Sequence, residues 1–211
     1  MTGVTRLLVW RHGNTDWNAE GRVQGQTDVP LNDLGRSQAA AAAELLVRFR
    51  PASIVSSDLR RAADTATVLS DLTGLQVQPD ARLRERFFGT WQGLTMTQVA
   101  QQHPAAHARW RAGAEWVGCD VEGLDDMGKR VAEALQDAAA AAPDGTVVVA
   151  THGAAARQGI GQLLGWPSEQ LRTLRALQNC HWAELTHSEL GWQLAAYNVG
   201  PATERPVPAP V

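Results

Sequence analysis

Two histidines in this sequence share a setting: each comes just after an apolar run and just before a glycine. His12 lies in Arg11-His12-Gly13, after RLLVW, and His152-Gly153 comes after TVVVA. A neutral imidazole is a competent nucleophile near pH 7 without an activating base. The glycines would let a substrate approach backbone N–H groups closely. Because ligands bind at the carboxyl ends of parallel strands, we expect both rings to lie in one pocket.

Two further segments supply positive charge and a carboxyl group. Arg60 and Arg61 lie in SSDLRRA at a predicted strand-to-helix junction, and Glu85 lies in LRERFFG. Arginine beside a helix N-terminus favours an anion. Arginines and a second imidazole can balance the charge on a transferring phosphoryl group without a metal. A carboxylic acid can protonate a poor alkoxide leaving group. Together these residue types indicate phosphoryl transfer.

Short apolar runs that alternate with helical segments predict an α/β fold, a three-layer α/β/α sandwich with a largely parallel sheet. Four parallel strands are expected at residues 6–10, 53–56, 75–78 and 146–150, and a terminal antiparallel hairpin at 181–186 and 191–197. Helices are expected at residues 32–49, 59–73, 124–142 and 155–164. Asn32 is the expected N-cap of the first helix and Gly74 the stop of the second.

The chain length of 211 residues favours a single domain. We predict a catalytic domain over residues 1–199, in which residues 95–123 form a helical insertion over the active site. The proline-rich residues 200–211 have too little apolar bulk to pack and are predicted to be a tail.

The order and spacing of these motifs resemble the histidine phosphatase superfamily, also called phosphoglycerate-mutase-like. The resemblance rests on RHGNTDWN (11–18), SSDLRRAADTA (56–66), LRERFFGTWQG (83–93) and THG (151–153). It implies that His12 accepts the phosphoryl group and that Glu85 is the proton donor. It further implies that the phosphoryl group is held by Arg11, Arg61 and His152, and that phosphate or substrate contacts come from Asn18, Gln24 and Gly153.

Several of these residues also have a structural interpretation. Adjacent helical side chains point about 100° apart, so only one of Arg60 and Arg61 should face the pocket. The resemblance selects Arg61. Glu85 could instead pair with a neighbouring arginine, and Asn18 and Gln24 could satisfy loop backbone groups.

Other histidines and the tryptophans point less clearly to chemistry. His103 and His107 have the i, i+4 spacing of metal-binding helices, but Pro104 lies between them and no glutamate does, so we expect surface histidines and no metal site. Trp17 and Trp91, beside catalytic motifs, could line the pocket or pack in the core.

Mutases and phosphatases share the catalytic motifs of this family. Cofactor-dependent phosphoglycerate mutases carry a lysine-bearing insertion after the glutamate motif, whereas residues 94–116 here contain no lysine. We therefore predict a metal-independent phosphomonoesterase that works through a phosphohistidine, with a cofactor-dependent phosphoglycerate mutase as the alternative.

Within the superfamily, the sequence is similar to the actinobacterial glucosyl-3-phosphoglycerate phosphatase type, which implies a substrate of that kind or a related small phosphoester. The sequence departs from the pattern of this type in two places. Ala154 stands where a second glycine is common, and Val121-Glu122-Gly123 replaces a Gly-Glu-Ser segment.

Composition argues against other classes of function. The net charge is −3 and no basic stripe is present, so nucleic acid is not expected as a partner. No run approaches the ~20 apolar residues that a membrane span needs. Nucleotide-binding glycine motifs such as GxGxxG are absent from the sequence. A binding module without catalysis would normally have lost one of the five residues to which the resemblance assigns catalysis, and all five are present: Arg11, His12, Arg61, Glu85 and His152. We expect a cytoplasmic enzyme without a cofactor that acts on a small phosphorylated metabolite; its oligomeric state is left open, with a homodimer as one option.

Overall fold

The computed structural model describes residues 5–201, apart from the side chain of Ser168. Within this range a mixed sheet of six strands is flanked by eight helices. The strands are β1 (Thr5–Arg11), β2 (Ser53–Ser56), β3 (Val77–Pro79), β4 (Thr146–Thr151), β5 (Trp182–Ser188) and β6 (Gly191–Val199). The helices are α1 (Asp16–Ala19), α2 (Asp33–Leu46), α3 (Arg60–Thr73), α4 (Met96–Gln102), α5 (Pro104–Arg111), α6 (Leu124–Ala140), α7 (Gly153–Leu163) and α8 (Ser168–Leu171).

The strand order is β3-β2-β4-β1-β5-β6. The first four strands of this order are mutually parallel, and β5 and β6 add the antiparallel hairpin at one edge. This confirms the predicted α/β class and the largely parallel sheet. In the centre, β1 pairs with β4 so that Arg11 lies opposite Thr151. The carboxyl ends of these two strands are therefore adjacent.

The core has two layers because successive strand side chains point to opposite faces. On one face Leu7 and Val9 pack with α6 and α7, and on the other Leu8 and Trp10 pack with α2 and α3. All six residues of β4 are buried. A strand covered on both faces is expected to be continuously apolar, as TVVVA is. The sheet is thus the middle layer of the predicted three-layer sandwich.

Most helix boundaries follow from local signals. Asn32 caps α2 by accepting a hydrogen bond from the Gly35 N–H at 2.9 Å. Gly74 ends α3 in the left-handed conformation, with φ of 73°.

Some elements differ from the prediction. Helix α7 begins at Gly153 and not at Ala155, and β3 spans Val77–Pro79 in place of residues 75–78. The four-residue helices α1 and α8 were not predicted. Helix α6 ends at Ala140 and not at residue 142, with Pro143 two residues after its C-cap Ala141.

The segment 95–123 contains α4 and α5 and a small separate core, in which Val99 and Ala106 pack with Trp91, Val117 and Val121. Trp91 is fully buried there, so of its two proposed roles the core role is the one observed. The role of this segment as a cover for the active site stays a prediction, as does the boundary at residue 199. Most of the predicted tail lies outside the described residues.

Candidate active site

The two histidines come together at the carboxyl ends of β1 and β4. Their ring centroids are 5.1 Å apart with the planes tilted by 59°. The backbone N–H of His12 donates to the Thr151 carbonyl at 3.0 Å, which continues the pairing of the two strands. Both residues are buried. Strand register therefore places the two rings side by side.

His12 is held so that one ring nitrogen is free. Its Nδ1 lies 2.7 Å from the Gly13 carbonyl oxygen. A proton on Nδ1 donates to this carbonyl and leaves the lone pair on Nε2. Burial lowers the pKa of His12 well below its usual value, and the positive charges of Arg61 and Arg11 act in the same direction. The unliganded ring is therefore neutral near pH 7, as a nucleophile requires.

Gly13 lies in a tightly packed turn after His12. Its N–H donates to Thr65 Oγ1 at 3.1 Å, and this hydroxyl donates to the Arg61 carbonyl at 2.7 Å. A Cβ atom at Gly13 would overlap the carbonyl group of Gly35. The turn that orients His12 thus depends on α3 and on the absence of a side chain at residue 13.

Two arginines place positive charge near His12. Arg61 is fully buried, and its terminal nitrogens donate to the carbonyls of Thr27 (2.8 Å) and Gly25 (2.7 Å). Arg11 donates to the Leu177 carbonyl at 2.6 Å. The Nε atoms of both arginines are buried with no hydrogen-bond partner among the described residues.

The charges of these arginines are not neutralised by close carboxylates. Within residues 5–201, neither Arg11 nor Arg61 has a carboxylate within 4 Å. Burial lowers the pKa of Arg61 to about 10. Such groups favour an anion that supplies both charge and acceptors. Arg60, by contrast, is exposed and lies 3.5 Å from Asp64, as expected of the arginine that faces away.

Glu85 lies against the first turn of α7. Its carboxylate accepts backbone hydrogen bonds from Arg86 (2.8 Å), Ala155 (3.0 Å) and Ala154 (3.1 Å). The salt bridges considered for Glu85 are not observed. Arg84 pairs instead with Asp58 at 2.5 Å, and Arg86 Nε donates to the Glu122 carbonyl at 2.7 Å.

The negative charge of Glu85 acts on both arginines of the site. It raises the pKa values of Arg11 and Arg61 and so partly offsets the lowering that burial causes. Glu85 is only partly buried, and its role as proton donor stays a prediction.

His152 is the N-cap residue of α7 and is fully buried. Its Nε2 lies 2.9 Å from Ser57 Oγ, at the end of the neighbouring β2, and its Nδ1 has no partner among the described residues. Burial lowers the pKa of His152 well below its usual value, and the charges of Arg61 and His12 add to the effect. At Gly153 a Cβ would lie 3.4 Å from Arg11 Nε, an ordinary contact distance, so packing does not require glycine here, and the substrate contact expected of Gly153 stays a prediction.

Asn18 and Gln24 have different surroundings. Asn18 Oδ1 accepts hydrogen bonds from the Thr15 N–H at 3.2 Å and from Asn179 Nδ2 at 3.3 Å. Asn18 therefore links α1 to Asn179. The Asn179 side chain also donates to the His12 carbonyl oxygen, so it lies beside His12. Gln24 is buried, and its Oε1 has no partner in the described part of the chain. Substrate contact by either residue stays a prediction.

Three residues that support the site were missed. Ser57 contacts His152, Thr65 contacts Gly13, and Asn179 joins His12 to Asn18. Ser57 could have been found, because it follows a predicted strand at the same sheet edge. Thr65 and Asn179 carry no such signal.

Residues 5–201 contain neither a metal-binding cluster nor a helix suited to cross a membrane. No cluster of three or more His, Cys, Asp or Glu side chains in this range could hold a metal ion. None of its helices combines the length and the apolar character of a membrane span.

The chain is similar to known proteins over most of its length. Residues 7–200 match the model of the histidine phosphatase superfamily (branch 1). The chain is 38% identical to glucosyl-3-phosphoglycerate phosphatase of Mycolicibacterium vanbaalenii, over 92% of this chain and 95% of the relative. It is 30% identical to a probable phosphoglycerate mutase of Yersinia pestis, over 90% and 88% of the two chains. A solved structure of mycobacterial glucosyl-3-phosphoglycerate phosphatase with VO3 is 40% identical, with a TM-score of 0.86 over 93% of this chain and 100% of the other.

Proposed function

Because the chain belongs to the histidine phosphatase superfamily, we propose that it is a metal-independent phosphomonoesterase that works through a phosphohistidine on His12. The observation that carries the proposal is the orientation of His12. The Gly13 carbonyl holds Nδ1 at 2.7 Å, so the Nε2 lone pair is free beside Arg11, Arg61 and His152. The resemblance to the mycobacterial phosphatases favours glucosyl-3-phosphoglycerate or a related small phosphoester as substrate.

In the first step, the His12 Nε2 lone pair attacks phosphorus and the bond to the ester oxygen breaks. Arg11, Arg61 and His152 balance the charge on the equatorial oxygens. Glu85, as the carboxylic acid, gives its proton to the leaving oxygen. In the second step Glu85 takes a proton from water, the water oxygen attacks phosphorus, and the N–P bond breaks. Inorganic phosphate and neutral His12 result.

Trapping the intermediate tests this mechanism. After rapid quenching of a reaction with labelled phosphoester, the parent chain should carry an acid-labile, alkali-stable phosphoryl group. His12→Ala should lose both the label and turnover while its circular dichroism spectrum is unchanged. His187→Ala, at an exposed histidine of β5, is the matched control and should retain both. Label on serine or aspartate would refute the phosphohistidine.

A phosphoglycerate mutase is the second candidate, because the chain is also similar to a probable mutase. A mutase must exclude water from its phosphoenzyme while the intermediate reorients. Residues 94–116 lack the lysine of the mutase insertion, which favours hydrolysis. Incubation with 3-phosphoglycerate and a trace of 2,3-bisphosphoglycerate, followed by ³¹P NMR, separates the two. Phosphate should accumulate; faster accumulation of 2-phosphoglycerate would overturn the proposal.

The partner of this enzyme is then a small phosphorylated metabolite, and its location is the cytoplasm. Cys119 and Cys180 are both free thiols in the structure, which fits a reducing compartment.

A further inference from the structure

A serine occupies one of the two ring nitrogens of His152. His152 Nε2 lies 2.9 Å from Ser57 Oγ, and both residues are fully buried. The other ring nitrogen, Nδ1, is buried and has no hydrogen-bond partner among residues 5–201. If His152 holds the phosphoryl group, as the family resemblance implies, the nitrogen that can do so is Nδ1.

The sheet fixes Ser57 in this position. Ser57 directly follows β2, and its backbone N–H donates to the Ala150 carbonyl at 2.9 Å, which continues the pairing of β2 with β4. His152 directly follows β4. The register of two neighbouring parallel strands therefore sets the hydroxyl against the imidazole.

The contacts of the Ser57 hydroxyl indicate the direction of its hydrogen bond. A hydroxyl has one proton to donate and two lone pairs that accept. The Ser57 oxygen accepts from the Leu59 N–H at 3.3 Å, and within the described part of the chain the acceptor for its proton is His152 Nε2. In a neutral ring whose Nε2 accepts, the ring proton is on Nδ1.

The opposite tautomer would leave more buried groups unsatisfied. With the proton on Nε2, the Ser57 proton would lose its acceptor and the Nδ1 lone pair would also lack a partner. With the proton on Nδ1, one donor alone lacks a partner. Because unsatisfied buried polar groups are costly, the contacts favour the proton on Nδ1.

The tautomer matters because the ring is neutral. Burial lowers the pKa of His152 well below its usual value, and the charges of Arg61, His12 and Arg11 add to this effect. A neutral imidazole presents one N–H and one lone pair. An N–H at the free nitrogen can bind a phosphoryl oxygen, whereas a lone pair there would repel it.

We propose that Ser57 is a positioning residue that holds His152 in the tautomer with the proton on Nδ1, so that this N–H donates to the transferring phosphoryl group. The inference rests on the proposed function, because it assigns one atom of His152 to the phosphoryl oxygens. His12 has the complementary arrangement, in which the Gly13 carbonyl holds Nδ1–H and Nε2 keeps the lone pair. The two rings, 5.1 Å apart, then offer the substrate a lone pair for phosphorus and an N–H for its oxygens.

Nitrogen NMR on the full chain measures the tautomer directly. Long-range ¹H–¹⁵N spectra of chain with ¹⁵N-labelled histidine separate a protonated ring nitrogen from one with a lone pair. The His152 signals are those missing from the spectrum of His152→Asn. In the parent chain near pH 7, His152 should carry its proton on Nδ1. Ser57→Ala should move a large share of this proton to Nε2. A proton on Nε2 in the parent chain, or an unchanged tautomer in Ser57→Ala, would overturn the proposal.

Ser56→Ala is the matched control. Ser56 is the buried serine next in sequence, and its hydroxyl donates to the Ser57 carbonyl at 2.8 Å, not to His152. The variant removes one hydroxyl hydrogen bond from the same place and should keep the parent tautomer. If Ser57→Ala does not fold, the parent spectrum still decides, since a proton on Nε2 contradicts the proposal.

Binding of inorganic phosphate should follow the tautomer. The apparent affinity falls by the fraction of molecules in the competent state, so phosphate should bind about 3- to 10-fold more weakly to Ser57→Ala if about a tenth to a third of it keeps the proton on Nδ1. Calorimetry on the parent chain, Ser57→Ala and Ser56→Ala measures this loss. A shifted tautomer without weaker phosphate binding would refute donation by Nδ1.

The same measurements separate this inference from the proposed phosphatase. If the tautomer and phosphate binding depend on Ser57 but the parent chain hydrolyses no phosphoester, the role of Ser57 stands and the phosphatase fails. If the parent chain hydrolyses phosphoesters with the His152 proton on Nε2, the phosphatase stands and the role of Ser57 fails.

Discussion

Replacing Glu85 by glutamine separates its predicted chemical role from its structural one. The carboxylate accepts N–H groups from Arg86, Ala154 and Ala155 at 2.8 to 3.1 Å. A glutamine keeps one oxygen but turns an NH₂ group toward at least one of these donors. The loss of a charge-assisted hydrogen bond should cost roughly 1–3 kcal/mol in free energy of unfolding. Glu85→Gln should therefore fold, with a lower melting temperature.

The effect on catalysis should depend on the leaving group. An alkyl phosphate needs the proton of Glu85, and general acid catalysis contributes ~10²–10⁴-fold, or about 3–5 kcal/mol of barrier. The nitrophenolate ion leaves without help. We therefore expect kcat/KM to fall by that factor for 3-phosphoglycerate and only slightly for nitrophenyl phosphate.

Both substrates should be assayed on the same preparation, well below the melting temperature measured for the variant. Glu44→Gln, an exposed position on α2, is the control and should match the parent chain in stability and in both rates. Equal losses on the two substrates would refute proton donation and leave Glu85 as a residue that fixes the start of α7.

Three other predictions follow from the site. Burial lowers the pKa values of His12 and His152, so near and below pH ~6.5 the unfolded chain binds more protons than the folded one. The free energy of unfolding, from urea titrations at pH 7.5, 6.5 and 5.5, should therefore fall by about 1.4 kcal/mol in total for each histidine over this range, mostly below pH 6.5. An unchanged value would contradict neutral buried rings. Gly13→Ala should abolish turnover and cost roughly 1–3 kcal/mol of stability, because its Cβ would overlap the Gly35 carbonyl; near-parental kcat would show that the turn can adjust. Dialysis against EDTA should leave kcat/KM unchanged, and a loss that added metal restores would contradict the metal-independent mechanism.

The position of the two histidines could be predicted because it depends on regular patterns. Apolar runs give β1 and β4, parallel strands align their carboxyl ends, and the residues that follow meet there. The start of α7 could not be predicted, because His152 occupies the N-cap position without a side-chain capping bond and none of the usual capping residues stands there. The contacts of Glu85 with Ala154 and Ala155 join residues about 70 positions apart, and no local pattern contains that information.

The two departures from the family pattern fall on supports of the site and not on its reacting groups. Ala154 contributes its backbone N–H to Glu85, which alanine supplies as well as glycine because the residue is helical. Glu122 pairs with Arg130 at 2.6 Å, and its carbonyl accepts from Arg86 at 2.7 Å. Glu85 is thus supported by α7 on one side and, through Arg86, by the segment before α6 on the other. Changes at residues 121–123 and 154 therefore bear on how Glu85, the predicted proton donor, is placed, and none of these residues contacts His12.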